Sequence, residues 1–307
     1  MLKDKRILML LLVLMLVVSF TFTACSGETT EPADANEETN VVENEESDDN
    51  ELETAAMNYF ANMTSSNMMG AEEFVEKVLA GDVDSYILDI RRTEDYEEGH
   101  IKGAVNIPYG TDISDNLENI PNDKPLLVYC YSGQTASQTI ALLNVAGFEA
   151  INITSGWNGA ISQVEGFEEA VETQANELPE ATTEIAEDIK EAIAKFYEGD
   201  TIHKISAEDT YTFVEEEDES VVLLDIRREE DYEEGHIDGA INLPYGKGME
   251  EGFGSLPKDK TIVVICYSGQ TADQTNAILH LLGFDALGMS GGMNGGWAKA
   301  ELPVVND

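Results

Sequence analysis

Apolar and polar positions along the chain form an order of helix-spaced stretches and short apolar runs that is written twice. Helical spacing occurs over residues 54–63 and 184–196, and again over 71–79 and 207–215. Each pair leads into a short apolar strand ending in Leu-Asp-Ile-Arg-Arg, at 88–92 and 224–228. A further short strand is predicted at 104–108, after a Gly-His-Ile turn. Residues 125–129 and 261–265 are continuously apolar without alternation, as a strand buried on both faces of a parallel sheet requires. Residues 137–145 and 273–281 carry helix-spaced apolar positions stopped by Gly147 and Gly283. Strands alternating with helices predict an α/β fold with a mostly parallel sheet.

The doubling has a fixed offset of 136 residues and needs no gap. Residues 94–101 recur at 230–237, and Cys130-Tyr131-Ser132-Gly133-Gln134-Thr135-Ala136 recurs at Cys266 to Ala272. A period this long indicates duplicated domains, not a solenoid. Ahead of them, Lys3, Lys5 and Arg6 precede an apolar run that ends at Phe22-Thr23-Ala24-Cys25. That layout is an export signal, too short for a spanning helix of about 20 residues. Its last four residues resemble a bacterial lipobox, which implies lipidation at Cys25. Residues 26–53 hold twelve acids and no Lys or Arg, the composition of a solvated, self-repelling spacer. The expected organisation is a signal at 1–24, an acidic tether at 25–53, a first domain at 54–172, an acidic linker at 173–187 and a second domain at 188–307.

Composition narrows the function. With 61 acidic and 17 basic residues among 307, the net charge is −44, which argues against nucleic acid as a partner. Three cysteines are too few for a disulfide scaffold and fit no zinc spacing, and four scattered histidines predict no metal site. The three cysteines divide into one anchor, Cys25, and two thiols, Cys130 and Cys266. No cofactor is expected.

Each of the two thiols stands where a buried strand stops and a glycine-containing turn enters a helix. Ligands of open α/β sheets bind beyond the carboxyl ends of the strands. A turn into a helix N-terminus gathers backbone N–H groups that attract anions, and there a thiol should have a lowered pKa. The same groups can steady an anionic substrate under attack. A lone cysteine in this place is most often a small buried hydrophobe. Two of them inside identical seven-residue stretches, beside loops at 112–120 and 248–256 that have diverged, favour a reactive thiol.

These motifs in order, Asp-x-Arg, then Tyr-x-x-Gly-His-Ile-x-Gly-Ala-x-Asn-x-Pro, then strand-Cys-x-x-Gly-x-Thr, resemble the rhodanese (sulfurtransferase) family. Residues 290–297 with Leu302-Pro303-Val304 resemble its C-terminal signature. The resemblance implies two tandem domains, each a five-stranded parallel sheet flanked by helices. It implies that Cys130 and Cys266 take sulfane sulfur as a persulfide from a small anionic donor such as thiosulfate or polysulfide, and pass it to a thiol or cyanide. The loops Tyr131, Ser132, Gly133, Gln134, Thr135 and Tyr267, Ser268, Gly269, Gln270, Thr271 would form the N–H cradle. Many enzymes acting on thiosulfate carry Arg or Lys just after the cysteine; Tyr-Ser stands there in both units.

Other residues divide between chemistry and packing. Beyond the signal the arginines are Arg91, Arg92, Arg227 and Arg228. Arg91 and Arg227 are candidate substrate-binding groups, though an ion pair with the preceding aspartate that fixes the strand end is the more conservative assignment. His100 and His236 fit a structural turn better than acid–base work, His203 and His280 lack repeat partners, and Trp157 and Trp297 suit packing. A cysteine phosphatase would need arginine where Ala136 and Ala272 stand. Two other classes remain open: a non-catalytic sulfur-carrier or anion- and protein-binding module displayed on the cell surface, and a redox pair of Cys130 with Cys266.

Overall fold

Residues 51–306 are described by a computed structural model. The export signal, Cys25 and the tether through residue 50 lie outside the described residues, and among those described no helix is long and apolar enough to cross a membrane. The continuously apolar runs become the central strands of two sheets. The first holds β1 (Met68–Met69), β2 (Tyr86–Asp89), β3 (Ala104–Asn106), β4 (Leu126–Tyr129) and β5 (Ala150–Ile153) in the order β1-β5-β4-β2-β3, parallel throughout. The second repeats it with β6 (Lys204–Ile205), β7 (Val221–Asp225), β8 (Ile241–Asn242), β9 (Thr261–Ile265) and β10 (Asp285–Met289), ordered β6-β10-β9-β7-β8. The tandem parallel five-stranded α/β architecture is therefore as expected.

Eight helices matter for the site. They are α1 (Glu51–Ala61), α2 (Ala71–Ala80), α3 (Thr93–Glu98) and α4 (Gln134–Val145), then α5 (Glu187–Tyr197), α6 (Ala207–Glu215), α7 (Glu229–Glu234) and α8 (Gln270–Leu281). The outer faces of the sheets bury separate cores, one around Phe74, Ile87 and Tyr129, the other around Leu223, Ile265 and Trp297. Their inner faces share one core, in which Leu88, Val128 and Ile140 are continuous with Leu224, Val264 and Ile278. Helices α4 and α8, which follow the two cysteines, pack directly on each other across this seam.

The leading helices cross over. By sequence each belongs to the unit it precedes, yet each leans its aromatic residues on the other. Phe60 of α1 meets Tyr245 and Phe253 edge-on at 5.7 and 5.6 Å, and the Tyr59 hydroxyl donates to Gln274 Oε1 at 2.6 Å. Tyr197 of α5 meets Tyr109 edge-on at 5.3 Å and pairs with the Thr139 hydroxyl at 3.1 Å. Phe60 and Tyr197 are both buried. Burying a large apolar side chain contributes roughly 1.5–3 kcal/mol, so the exchange binds each unit to its neighbour. Residues 173–186 form no helix or strand but are tied to the first unit, where Thr183 N and Oγ1 donate to the carbonyls of Glu118 (2.8 Å) and Ile120 (2.6 Å).

Candidate active site

The strands β4 and β9 end at Cys130 and Cys266, and the chain turns at once into α4 and α8. Gly133 and Gly269 make that turn with φ of 82° and 87°, in the left-handed region that glycine enters without steric cost. A second reason excludes a side chain here. A Cβ on Gly133 would lie 2.4 Å from Gln270 Oε1, and one on Gly269 would lie 2.3 Å from Gln134 Nε2. Each loop is also clamped from behind: Trp157 N donates to the Cys130 carbonyl at 2.7 Å, and Met293 N to that of Cys266 at 2.8 Å.

The turn aims backbone N–H groups at sulfur. Cys130 Sγ accepts from Gly133 N at 3.1 Å and Ala136 N at 3.4 Å. Cys266 Sγ accepts from Gly269 N and Ala272 N at the same distances, with Ser268 N and the Thr271 side chain adding to the cradle. Both are free thiols and only 1% exposed. The lowered pKa expected of a thiol in such a nest is corrected at Cys266. Burial outweighs the Thr271 and backbone hydrogen bonds and pushes the thiol up. Near neutrality its N–H groups therefore face a thiol more than a standing thiolate.

Tyr131 and Tyr267 are fixed by their hydroxyls, which accept from Arg92 N (3.1 Å) and Arg228 N (3.2 Å) and donate to Asp95 and Asp231. Gln134 and Gln270, candidate substrate groups, span the seam. Gln134 Nε2 donates to Asp273 Oδ2 at 2.9 Å and its Oε1 accepts from Gly291 N at 3.3 Å. Gln270 Oε1 accepts from Asn152 Nδ2 at 3.2 Å and Ser155 N at 3.0 Å. Each cysteine loop is thus braced against the other unit.

Arg91 and Arg227, the candidate substrate-binding groups, each form the ion pair with the preceding aspartate. Arg91 Nη2 lies 2.6 Å from Asp89 Oδ2 and 2.7 Å from the Gly99 carbonyl, and its guanidinium stacks over Trp157 at 3.9 Å. Arg227 repeats the pair with Asp225 at 2.7 Å and the carbonyl of Gly235 at 2.7 Å. Both arginines are buried, and their nitrogens secure the strand end and the following turn. His100 stacks on Tyr96 at 3.6 Å with Nδ1 and Nε2 on the backbone carbonyls of Tyr96 and Gln174, and His236 stacks on Tyr232 at 3.8 Å, as structural residues do. Among the described residues no cluster could hold a metal ion.

A cavity of about 470 Å³ opens beside the first loop. Tyr131, Ser132 and Thr135 line it together with Arg92, Tyr109, Tyr197, Ile202 and Lys204. The sequence had not singled out Tyr109, although Pro108-Tyr109-Gly110 is repeated intact at Pro244-Tyr245-Gly246. Lys204 carried no such signal, because Met68 holds its place in the first unit.

The family model of the rhodanese-like domain matches twice, at residues 70–163 and 207–299. The chain belongs to the rhodanese family. Similar proteins include a sulfurtransferase of Allochromatium vinosum, 34% identical over 88 residues, covering 28% of this chain and 80% of that protein. The thiosulfate sulfurtransferase GlpE of Shewanella oneidensis is 33% identical over 85 residues, covering 28% and 83%. Among solved structures, the BH2092 protein of Bacillus halodurans is 26% identical with a TM-score of 0.32, covering 38% of this chain and 85% of its own. Two rhodanese-like domains, each with a cysteine at the strand end, place the protein with sulfur-transfer proteins at the level of the family.

Proposed function

We propose that Cys130 and Cys266 carry sulfane sulfur between a small donor and a nucleophilic acceptor. The cysteine loses its proton, and its thiolate attacks the outer sulfur of thiosulfate. A cysteine persulfide forms as sulfite departs with the bonding pair. Cyanide or a thiolate then attacks the outer persulfide sulfur, taking it as thiocyanate or a new persulfide and returning the cysteine thiolate. The loop N–H groups stabilise the anionic sulfur at each stage. The observation that carries this reading is the cradle itself, two N–H groups at 3.1 and 3.4 Å from sulfur in both units.

A specific feature also favours the carrier reading: both thiols are buried, so a partner must reach them through the loop mouth. Thiocyanate formation from thiosulfate and cyanide separates the two. An enzyme turns over many times per thiol, whereas a carrier stops after one sulfur. We further propose that a lipid on Cys25 holds the protein at the outer face of the membrane, with the acidic tether as spacer. Metabolic labelling with a fatty acid, lost in Cys25→Ala, tests that placement.

A further inference from the structure

The loop of a thiosulfate-using enzyme commonly supplies a cation just after its cysteine, and Tyr131-Ser132 supplies none. The cavity beside the first loop nonetheless contains two cations, Arg92 and Lys204. Lys204 comes from the other unit: it opens β6, pairs with Gly288 of β10, and reaches the first unit's cavity because the leading segments cross over. Among the described residues no carboxylate lies within ion-pair distance of its ammonium. Asp273, the acid whose field it feels, is fully buried and engaged by Gln134, Gln138 and Asn276. Burial raises that carboxyl to about 8, so near neutrality it does little to cancel the lysine.

The second unit differs at both positions. Arg228 is held by Asp231, with Nε and Nη2 at 3.0 and 2.9 Å from Oδ2, while Arg92 has no such ion pair among the described residues. Met68, at the matching register of β1 against Asn152, stands where Lys204 stands. We propose that Lys204, delivered by the second unit, is a specificity-determining residue that makes the Cys130 loop the site for a dianionic sulfur donor, leaving the Cys266 loop without that preference. This rests on the sulfurtransfer reading above. Lys204 and Arg92 hold the sulfonate end of a thiosulfate-like donor and favour departure of sulfite, while the loop N–H groups hold the sulfur.

The test uses full-length protein with one reactive thiol, Cys266→Ser for the first site and Cys130→Ser for the second. Thiocyanate formation is measured with thiosulfate and with a neutral organic trisulfide as donors. In the Cys266→Ser protein, Lys204→Met is expected to raise the KM for thiosulfate relative to that for the trisulfide by about tenfold, the scale of one partly screened charge interaction. Lys204→Arg should restore the ratio, and Met68→Lys in the Cys130→Ser protein should shift the second site toward thiosulfate. An equal loss with both donors, or no change in the ratio, overturns the role of Lys204. Failure of both donors to charge unsubstituted Cys130 overturns sulfurtransfer itself, and this inference with it.

Discussion

The two units hold sulfur in the same way and meet each other in different ways. Their cradles agree, with N–H groups at 3.1 and 3.4 Å from sulfur in both, yet the residues that brace them exchange chemistry. In the first unit Asn152 donates to Ser137 Oγ (2.9 Å), to the Gly133 carbonyl (3.0 Å) and to Gln270 Oε1 (3.2 Å). In the second, Asp273 replaces Ser137 and Gly288 replaces Asn152, and a Cβ on Gly288 would meet Asp273 Oδ1 at 2.0 Å. The two glutamines answer this exchange: Gln270 turns its oxygen to the amide donor, and Gln134 turns its nitrogen to the carboxyl. A duplicated site has thus kept its sulfur geometry while the seam became a matched, unequal pair.

The largest expected effect breaks the crossover. Phe60→Ala removes a fully buried ring that the second unit packs against, and should cost about 3–5 kcal/mol in a denaturant titration. If the loss is below about 1 kcal/mol, α1 does not anchor the seam. Next, the braces should be unequal. Gln134→Ala leaves Asp273 Oδ2 and Gly291 N without that partner, whereas Gln270→Ala leaves Ser155 N and one of three Asn152 bonds. Both should destabilise by about 1–3 kcal/mol, Gln134→Ala by the larger amount. Equal losses would remove the asymmetry.

Asp273 gives the comparison a pH dependence. Its carboxyl is raised from 3.8 to about 8 in the folded protein, so the folded state keeps a proton that the unfolded chain releases. Its contribution is therefore greatest below 3.8 and is lost as pH rises to about 8, beyond which it is constant. Asp273→Asn should flatten the stability profile over that window, measured as the unfolding midpoint at each pH. The smallest effect concerns Cys266. Because burial raises its pKa, alkylation in the Cys130→Ser protein should keep accelerating beyond the ordinary thiol value of 9.0. A plateau at or below that pH would contradict the raised thiol.

Much of this was legible in the chain. The unbroken apolar runs at 125–129 and 261–265 fit doubly buried strands, and the repeat fixed which loops to compare. The cysteine loops followed from the strand–glycine–helix order. The crossover was not legible, because helical spacing over 54–63 and 184–196 shows an apolar face but not which body covers it. Gln134 and Gln270 read as loop polar groups since nothing in sequence shows a second loop facing them. The Cys266 thiol was placed too low for a similar reason: the sequence reveals the N–H nest, whereas the depth of burial that opposes it depends on the packed seam. Lys204 is matched by Met68 in the first unit, so a comparison of the units that looks for shared residues passes over it.

Intact-mass analysis after exposure to thiosulfate tests the central claim most directly, using the Cys130→Ser, Cys266→Ser and doubly substituted proteins. Each singly substituted protein should gain the mass of one sulfur atom that cyanide then removes as thiocyanate, and the doubly substituted protein should gain none. If neither thiol gains sulfur, or if the doubly substituted protein gains as much, the two loops are not sulfur-accepting sites.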